Sequence, residues 1–180
     1  MDIKKFMQNT LNDLKTELTD EFDRNFQRKA FFDKAWPKNK LINQRGSMMM
    51  RNGHLRNSIE SRIQGDKIIF SSSLPYASIH NEGGEITVTP KMKSYFWAMY
   101  YKTSGGMSKR KDGTASRNQR NARLSVEAQQ WKNLALMKVG QKLTIPERKF
   151  IGHHPQVNKM VKDVVGENLK GILEQIKQNK

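Results

Sequence analysis

The feature that most constrains this chain is an uninterrupted apolar stripe near its start. Large apolar residues recur at steps of three and four from Ile3 to Phe26, and residues 3–32 contain neither Gly nor Pro. This spacing predicts an amphipathic helix over residues 3–32. Trp36-Pro37 then ends it, because the residue before a proline is pushed out of helical backbone, and residues 37–53 are predicted to form a loop. At ~1.5 Å per residue the helix is about 45 Å long, so either it packs on its own sheet or part of the stripe faces another subunit.

The remaining pattern predicts an α+β fold. A second amphipathic helix is predicted over residues 156–177, and the centre is rich in short apolar runs, including a hairpin that turns at Gln64-Gly65-Asp66. We expect the long N-terminal helix and the C-terminal helix to pack on one mainly antiparallel β-sheet. Its strands are predicted from residues 61–72, 86–89 and 142–151. The predicted core comprises Phe22, Phe26, Ile69, Tyr76, Ile79, Phe150, Val161, Val165 and Leu169.

Residues 91–142 differ from the rest of the chain in charge. They contain 12 Lys/Arg and 2 Asp/Glu, which is most of the net charge of +16. Helical patterns at 91–101 and 124–139 flank residues 103–123, which have almost no large apolar side chain, so we predict a helical basic insertion with a mobile loop. A polyanion partner is one interpretation, and a solvated loop is the other. The candidate DNA or polyanion contacts are Lys109, Arg110, Lys111, Arg117, Arg120 and Arg123.

Two short motifs are predicted to shape the centre of the fold. In the first, Pro75 stops a strand, and Gly83-Gly84 turns the chain where positive φ is expected. Between them, His80 and Asn81 are suited to bond backbone groups that the turn leaves unpaired. The second motif is Ile145–Gly152. In it, Arg148 either pairs with a nearby carboxylate such as Glu82 or Glu85 or stays exposed. Both motifs therefore predict a structural role.

These motifs, in this order, resemble the phage virion morphogenesis (tail completion) family over residues 1–90 and 143–180. The resemblance implies a single domain of the tail-completion type over residues 1–180, with a basic helix-loop-helix inserted at about 91–142. The structural signature residues that carry the resemblance are Trp36, Pro37, Pro75, Tyr76, Ala77, His80, Asn81, Gly83, Gly84, Pro146, Arg148, Phe150 and Gly152.

The same resemblance implies a structural virion protein that acts in tail completion or head–tail joining. We then expect a homo-oligomeric ring, with a hexamer as the first guess, and contacts with other neck, tail or connector proteins. DNA in the lumen is a further expected partner, through non-specific phosphate contacts. The expected location is the neck or tail end of the virion, after assembly in the host cytoplasm.

The sequence offers no support for catalysis. Absence of Cys excludes disulfides and thiolate metal sites. The adjacent His153 and His154 point in different directions on any regular element, and His80-Asn81 with His153 lacks the close spacing of a compact nuclease metal site. Phosphate-binding and nucleophile motifs are also missing, so we predict no enzyme activity and no cofactor. No segment approaches the roughly 20 apolar residues of a membrane span. The alternative function is a basic nucleic-acid-binding protein or nuclease acting alone.

Overall fold

A computed structural model describes residues 3–39 and 47–178 of the chain, so residues 40–46 of the predicted 37–53 loop lie outside the described residues. Contacts divide the chain into two compact units. The described part of the first comprises residues 3–37, 47–82 and 147–178, and the second includes residues 83–146. The predicted insertion at 91–142 therefore lies inside the second unit.

The first unit begins with the predicted long helix, α1 (Ile3–Arg28). It ends four residues before the predicted end at residue 32, because Lys29 adopts a left-handed conformation with φ 56°. The chain then forms a tight turn between the two-residue strands β1 (Ala30–Phe31) and β2 (Lys34–Ala35). This turn brings Phe31 and Phe32 onto Phe22 of α1, with ring centroids 6.4 Å apart in both pairs. Burial of three aromatic rings favours the early helix end.

The centre of this unit contains the predicted hairpin. After the short helix α2 (His54–Asn57), strands β3 (Ile59–Gln64) and β4 (Lys67–Ser72) pair antiparallel. Gly65 in the turn between them has φ 63°, which glycine adopts without the steric cost that a Cβ brings. Helix α3 (Ala77–Glu82) follows the strand pair.

The first unit has two buried clusters beneath α1. Phe26, Trp36 and Phe150 form the centre of one, and Phe22, Phe31 and Phe32 form the centre of the other. Predicted burial is confirmed for Phe22, Phe26 and Phe150. It is wrong for Tyr76 and Leu169, each 41% exposed, and neither residue belongs to these clusters. Four further predicted core residues are only half-buried, namely Ile69, Ile79, Val161 and Val165.

The second unit is a helical hairpin on a strand pair. Strand β5 (Gly84–Thr87) leads into α4 (Pro90–Gly105), and α5 (Gln119–Leu136) leads into β6 (Lys142–Ile145). Phe96 of α4 stacks on Trp131 of α5 with centroids 6.1 Å apart. Beside this contact, Ala128 and Ala135 are buried, and small side chains allow the two helices to approach closely.

The predicted α+β fold class is confirmed, whereas the prediction that the strands form one sheet is wrong. The described strands form three separate two-stranded antiparallel sheets, β1–β2, β3–β4 and β5–β6. Residues 149–151, predicted as a strand, have irregular backbone. The C-terminal helix is present as α6 (Pro155–Gln178). Both terminal helices belong to the first unit, and α1 packs against the β3–β4 hairpin and against α6.

Candidate functional site

One backbone carbonyl and the side chains of Trp36 and Asn81, from distant parts of the first unit, hold residues 148–151 in place. The backbone N–H of Arg148 donates to the carbonyl oxygen of His80 at 2.9 Å. Trp36 Nε1 donates to the Lys149 carbonyl at 2.6 Å. Asn81 Oδ1 accepts from the N–H groups of Phe150 (2.9 Å) and Ile151 (3.1 Å). Side chains thus replace a strand partner, so these backbone groups are satisfied without a sheet.

Sequence reasoning missed the residue that completes this network. Asn25 of α1 is fully buried, and its Nδ2 donates to the carbonyl of Phe150 at 3.1 Å. Its Oδ1 accepts from the N–H of Phe32 at 3.0 Å. The available signal was a polar residue on the apolar stripe, between Phe22 and Phe26, because a buried amide is kept only where it is hydrogen-bonded.

Four signature residues meet at the held segment, residues 148–151. They are Trp36, Pro37, Arg148 and Phe150. The Phe26 ring contacts Trp36 edge-on at 5.6 Å and Phe150 at 5.1 Å between centroids. Arg148 is 7% exposed, and its Nε donates to the Pro37 carbonyl at 3.1 Å. Burial lowers the pKa of Arg148. The ion pair with Glu82 or Glu85 stays a prediction.

Most of the other signature positions lie in turns or at the ends of secondary-structure elements. Pro75 and Tyr76 form the turn before α3, and Ala77 is buried in the cluster with Phe26. Gly83 and Gly84 have φ 73° and 145°, which confirms the predicted positive φ. Pro146 follows β6, and Gly152 has φ 146° just after the held segment.

His80 behaves differently from its neighbour Asn81. Its Nδ1 is buried and has no hydrogen-bond partner among residues 3–39 and 47–178. The prediction that the His80 ring bonds backbone groups is therefore wrong at Nδ1, whereas it is confirmed for the Asn81 side chain. Burial lowers the pKa of His80, and the positive charge of Arg148 lowers it further. The ring packs edge-on against Tyr76 at 5.9 Å.

His154 has a structural role that the sequence did not reveal. Its ring stacks on Phe32 at 4.5 Å, and its Nε2 lies 3.0 Å from Asp33 Oδ1. Its Nδ1 accepts from the N–H of Gln156 at 3.2 Å, in the first turn of α6. Across the described ranges, His, Asp and Glu side chains do not gather in groups of three or more that could hold a metal ion.

The basic segment is an ordered turn rather than the predicted mobile loop. Asn121, 4% exposed, accepts at Oδ1 from the N–H of Ser108 (3.1 Å) and donates from Nδ2 to the carbonyls of Ser108 (2.8 Å) and Ser116 (2.7 Å). A bridge between Lys109 and Ala115 closes the turn. Asn118 caps α5 by accepting from the Asn121 N–H at 2.7 Å. Polar side chains, which hydropathy does not register, therefore order this segment.

All six basic candidates are exposed within this segment. Lys109, Arg110, Lys111 and Arg117 lie on the turn, and Arg120 and Arg123 lie on α5. None of the six has a carboxylate partner among residues 3–39 and 47–178. Asp112 at the tip accepts from the Thr114 hydroxyl at 2.6 Å, and this hydrogen bond lowers the pKa of Asp112. The turn presents a fixed group of cations.

A second surface lies where α1 and α6 run antiparallel. Asn168 Nδ2 donates to Thr10 Oγ1 (3.2 Å) and to Asp13 Oδ2 (2.9 Å). Next to these bonds is a groove of about 630 Å³ lined by Phe6 and Ile176, among others. Large apolar side chains are exposed at this end of the helix pair, namely Ile3 (64%), Met7 (47%), Leu169 (41%), Leu173 (57%) and Ile176 (43%).

Comparison of the sequence with known proteins identifies its family. Within the parts of the chain that the structure describes, every helix is too short or too polar to cross a bilayer. No curated protein and no solved structure matches the chain. Residues 8–170 match the phage virion morphogenesis family, and this range includes residues 91–142, which the sequence resemblance left out. The chain therefore belongs to the phage virion morphogenesis family.

Proposed function

We propose that this chain acts in tail completion or head–tail joining, as a ring-forming component of the virion neck. Membership of the morphogenesis family supports a structural role in building phage particles. Beyond that role, we propose two things: that the chain forms a ring, with a hexamer as first guess, and that this ring lies in the neck. The single observation that carries the ring is the exposed apolar end of the α1–α6 pair.

Several large apolar side chains at this end stay exposed although α1 packs against α6. Leu173 is 57% exposed and Ile3 is 64% exposed, with a groove between the two helices. Contiguous exposed apolar surface marks interaction sites in proteins that otherwise keep such groups apart. Full burial of one Leu or Ile side chain stabilises by about 1.5–3 kcal/mol. A neighbouring subunit that covers this end thus gains several such contributions, and equivalent contacts between identical chains close into a ring.

The size and shape of the purified particle test the proposal. We expect native mass spectrometry to show one closed oligomer and negative-stain images to show rings. The double variant Leu173→Glu with Ile176→Glu places two charges on the apolar end, so it should shift the protein to monomer. Lys159→Glu, at an exposed position of the same helix, is the control and should keep the oligomer. A wild-type chain that stays monomeric at high concentration and occupies the virion as a single copy contradicts the ring.

We also propose that the basic turn contacts DNA in the lumen of the ring. Lys109, Arg110, Lys111 and Arg117 are exposed and lack carboxylate partners among the described residues. Four phosphate contacts correspond to a log–log salt slope of about −4 on duplex DNA. Replacing all four by Ser or Gln should lower DNA affinity and flatten this slope, whereas base sequence should not matter.

A control with equal charge loss makes this second test specific. Four exposed lysines of the first unit, changed to Gln, should leave DNA affinity near the wild-type value; they are Lys67, Lys159, Lys162 and Lys170. If the turn variant binds DNA and builds infectious particles as the wild type does, the charges serve only as a solvated surface.

The alternative function, a nucleic-acid-binding protein or nuclease acting alone, makes opposite predictions. The matched family is a structural one, so we expect no turnover of DNA with Mg²⁺ or Zn²⁺. Metal-dependent cleavage that is lost in His80→Ala, together with a monomeric wild type, establishes the alternative.

A further inference from the structure

Helix α1 carries an acidic stretch in a strongly basic chain. Residues 13–23 contain five Asp/Glu and one Lys, whereas the whole chain has a net charge of +16. Three of the five carboxylates have partners in the same unit: Glu21 with Arg24 and Arg28, Asp23 with Arg56, and Asp13 with the Asn168 amide.

The other two carboxylates have no such partner. Glu17 and Asp20 are exposed on α1, and neither meets a basic side chain within residues 3–39 and 47–178. Residues three apart on a helix are neighbours, and like charges at that spacing repel each other. Within the described residues, no ion pair accounts for these two neighbouring carboxylates.

Helix α5 carries a pair of opposite charge at the same spacing. Arg120 and Arg123 are exposed, three residues apart, and have no carboxylate partner within the described ranges. Val126, one further step of three along the helix, is 49% exposed. An apolar side chain next to two arginines is typical of a protein contact, since Arg is enriched at interfaces and apolar contact excludes water around it.

We propose that Glu17 and Asp20 of one copy bind Arg120 and Arg123 of the next copy in the ring. Both pairs place their Cβ atoms about 5–6 Å apart, so two helices lying side by side form both ion pairs together. The contact joins two different surfaces of identical chains, which makes it head-to-tail, and such a contact generates a ring when the rotation closes. This inference rests on the proposed ring, for which it supplies direction and register.

Charge reversal and its repair test the contact directly. Glu17→Lys with Asp20→Lys, and separately Arg120→Glu with Arg123→Glu, each place like charges opposite one another. Each should raise the concentration at which the oligomer dissociates by about tenfold or more, because two pairs are lost and repulsion is added. The chain with all four changes restores opposite charges in reverse order and should return to within about threefold of wild type.

A matched control separates local contact from net charge. Glu60→Lys with Asp66→Lys changes two exposed acidic residues of the β3–β4 hairpin by the same amount of charge and should leave dissociation near wild type. Circular dichroism and thermal melting confirm that each variant folds. Raising the salt concentration should weaken the wild-type oligomer and strengthen the oligomers of the two reversed variants, because salt screens both the attraction and the repulsion.

The other outcomes overturn the inference in separable ways. A wild-type ring that persists in both reversed variants leaves the proposed function intact and sinks this contact. Loss of assembly in both variants without repair in the combined chain shows that the charges meet other groups. Loss of DNA affinity in Arg120→Glu with Arg123→Glu, with assembly unchanged, assigns the arginines to DNA. A wild type that never assembles removes the proposed function itself.

Discussion

Asn81 and Phe150, 69 positions apart in the sequence, are joined by a hydrogen bond of 2.9 Å from the Phe150 N–H to the Asn81 side-chain oxygen. The same oxygen accepts the N–H of Ile151. One side-chain atom thus satisfies two consecutive backbone donors of a segment that has no strand partner. This geometry gives the signature motif around Asn81 a structural role.

Asn81→Ala should destabilise the first unit by about 2–4 kcal/mol. Each of two backbone N–H groups loses its only described acceptor, and an unpaired buried donor costs about 1–3 kcal/mol. Urea unfolding followed by circular dichroism measures the change. Ser78→Ala, on the exposed side of the same helix, is the control and should stay within about 0.5 kcal/mol of wild type. Equal effects of the two changes contradict the role of Asn81.

Phe150→Ala should cost about 3–5 kcal/mol, because the ring is 2% exposed and packs on Phe26. Tyr76→Ala removes another aromatic ring, but one that is 41% exposed, so we expect a clearly smaller loss. Denaturant midpoints of the two variants make the comparison. A Phe150 variant as stable as the Tyr76 variant shows that the core assignment is wrong.

Stability should fall as the pH drops below about 6.5, and His80 should contribute to this fall. Its pKa in the folded state is lowered by burial and by Arg148, so below the unfolded pKa of about 6.5 the unfolded chain binds the proton more readily. The stabilisation from a neutral His80 is therefore complete above the unfolded-state pKa and is lost as the pH falls from that value through the lower pKa of the folded state.

Melting temperatures at pH 7.5, 6.5 and 5.5 measure this effect. His80→Gln removes the titrating group and should flatten the pH dependence, whereas His153→Gln serves as the histidine control and should keep it. An unchanged slope in His80→Gln assigns the pH dependence to other groups.

Asn121→Ala should loosen the basic turn while leaving α4 and α5 helical. The change removes the partner of the Ser108 N–H and of two carbonyls, at about 1–3 kcal/mol for each group left buried. Hydrogen exchange across residues 108–117 should become faster. Asn133→Ala, whose side chain is exposed on the same helix, should leave exchange in the turn unchanged. Fast exchange in the wild type as well would show that the turn is not fixed in solution.

Local patterns predicted the elements of this fold better than their assembly. The stripe from Ile3 to Phe26 and the turn at Gly65 depend on neighbours within a few residues, so periodicity and turn chemistry identify them. Two of the three small sheets are hairpins of strands adjacent in sequence, whereas the third pairs β5 with β6 far along the chain. That these pairs stay separate rather than join into one sheet is recorded by no local period. Leu169 shows the same limit, since it fits the apolar stripe of α6 but is 41% exposed in the fold.

The candidate sites divide in the same way. The sequence identified the signature residues but not Asn25. A single polar residue in an apolar stripe only interrupts the pattern, and its role is clear only when its partner, the Phe150 carbonyl, is known. The order of the basic turn was also missed, because low hydropathy indicates disorder, whereas Asn118 and Asn121 order the chain through hydrogen bonds. Side-chain bonds to backbone over long sequence distances have no periodic signal.

The pairing of Gly84 with Ile145 has a consequence for how such chains vary. Neighbouring strands lie about 5 Å apart. The two ends of the segment that contains the helical hairpin are therefore close together. The segment between these two strands can become longer or shorter, or change its charge, without moving its two ends apart. The helical hairpin can therefore change while Asn25, Asn81 and Phe150 keep their hydrogen bonds within the first unit.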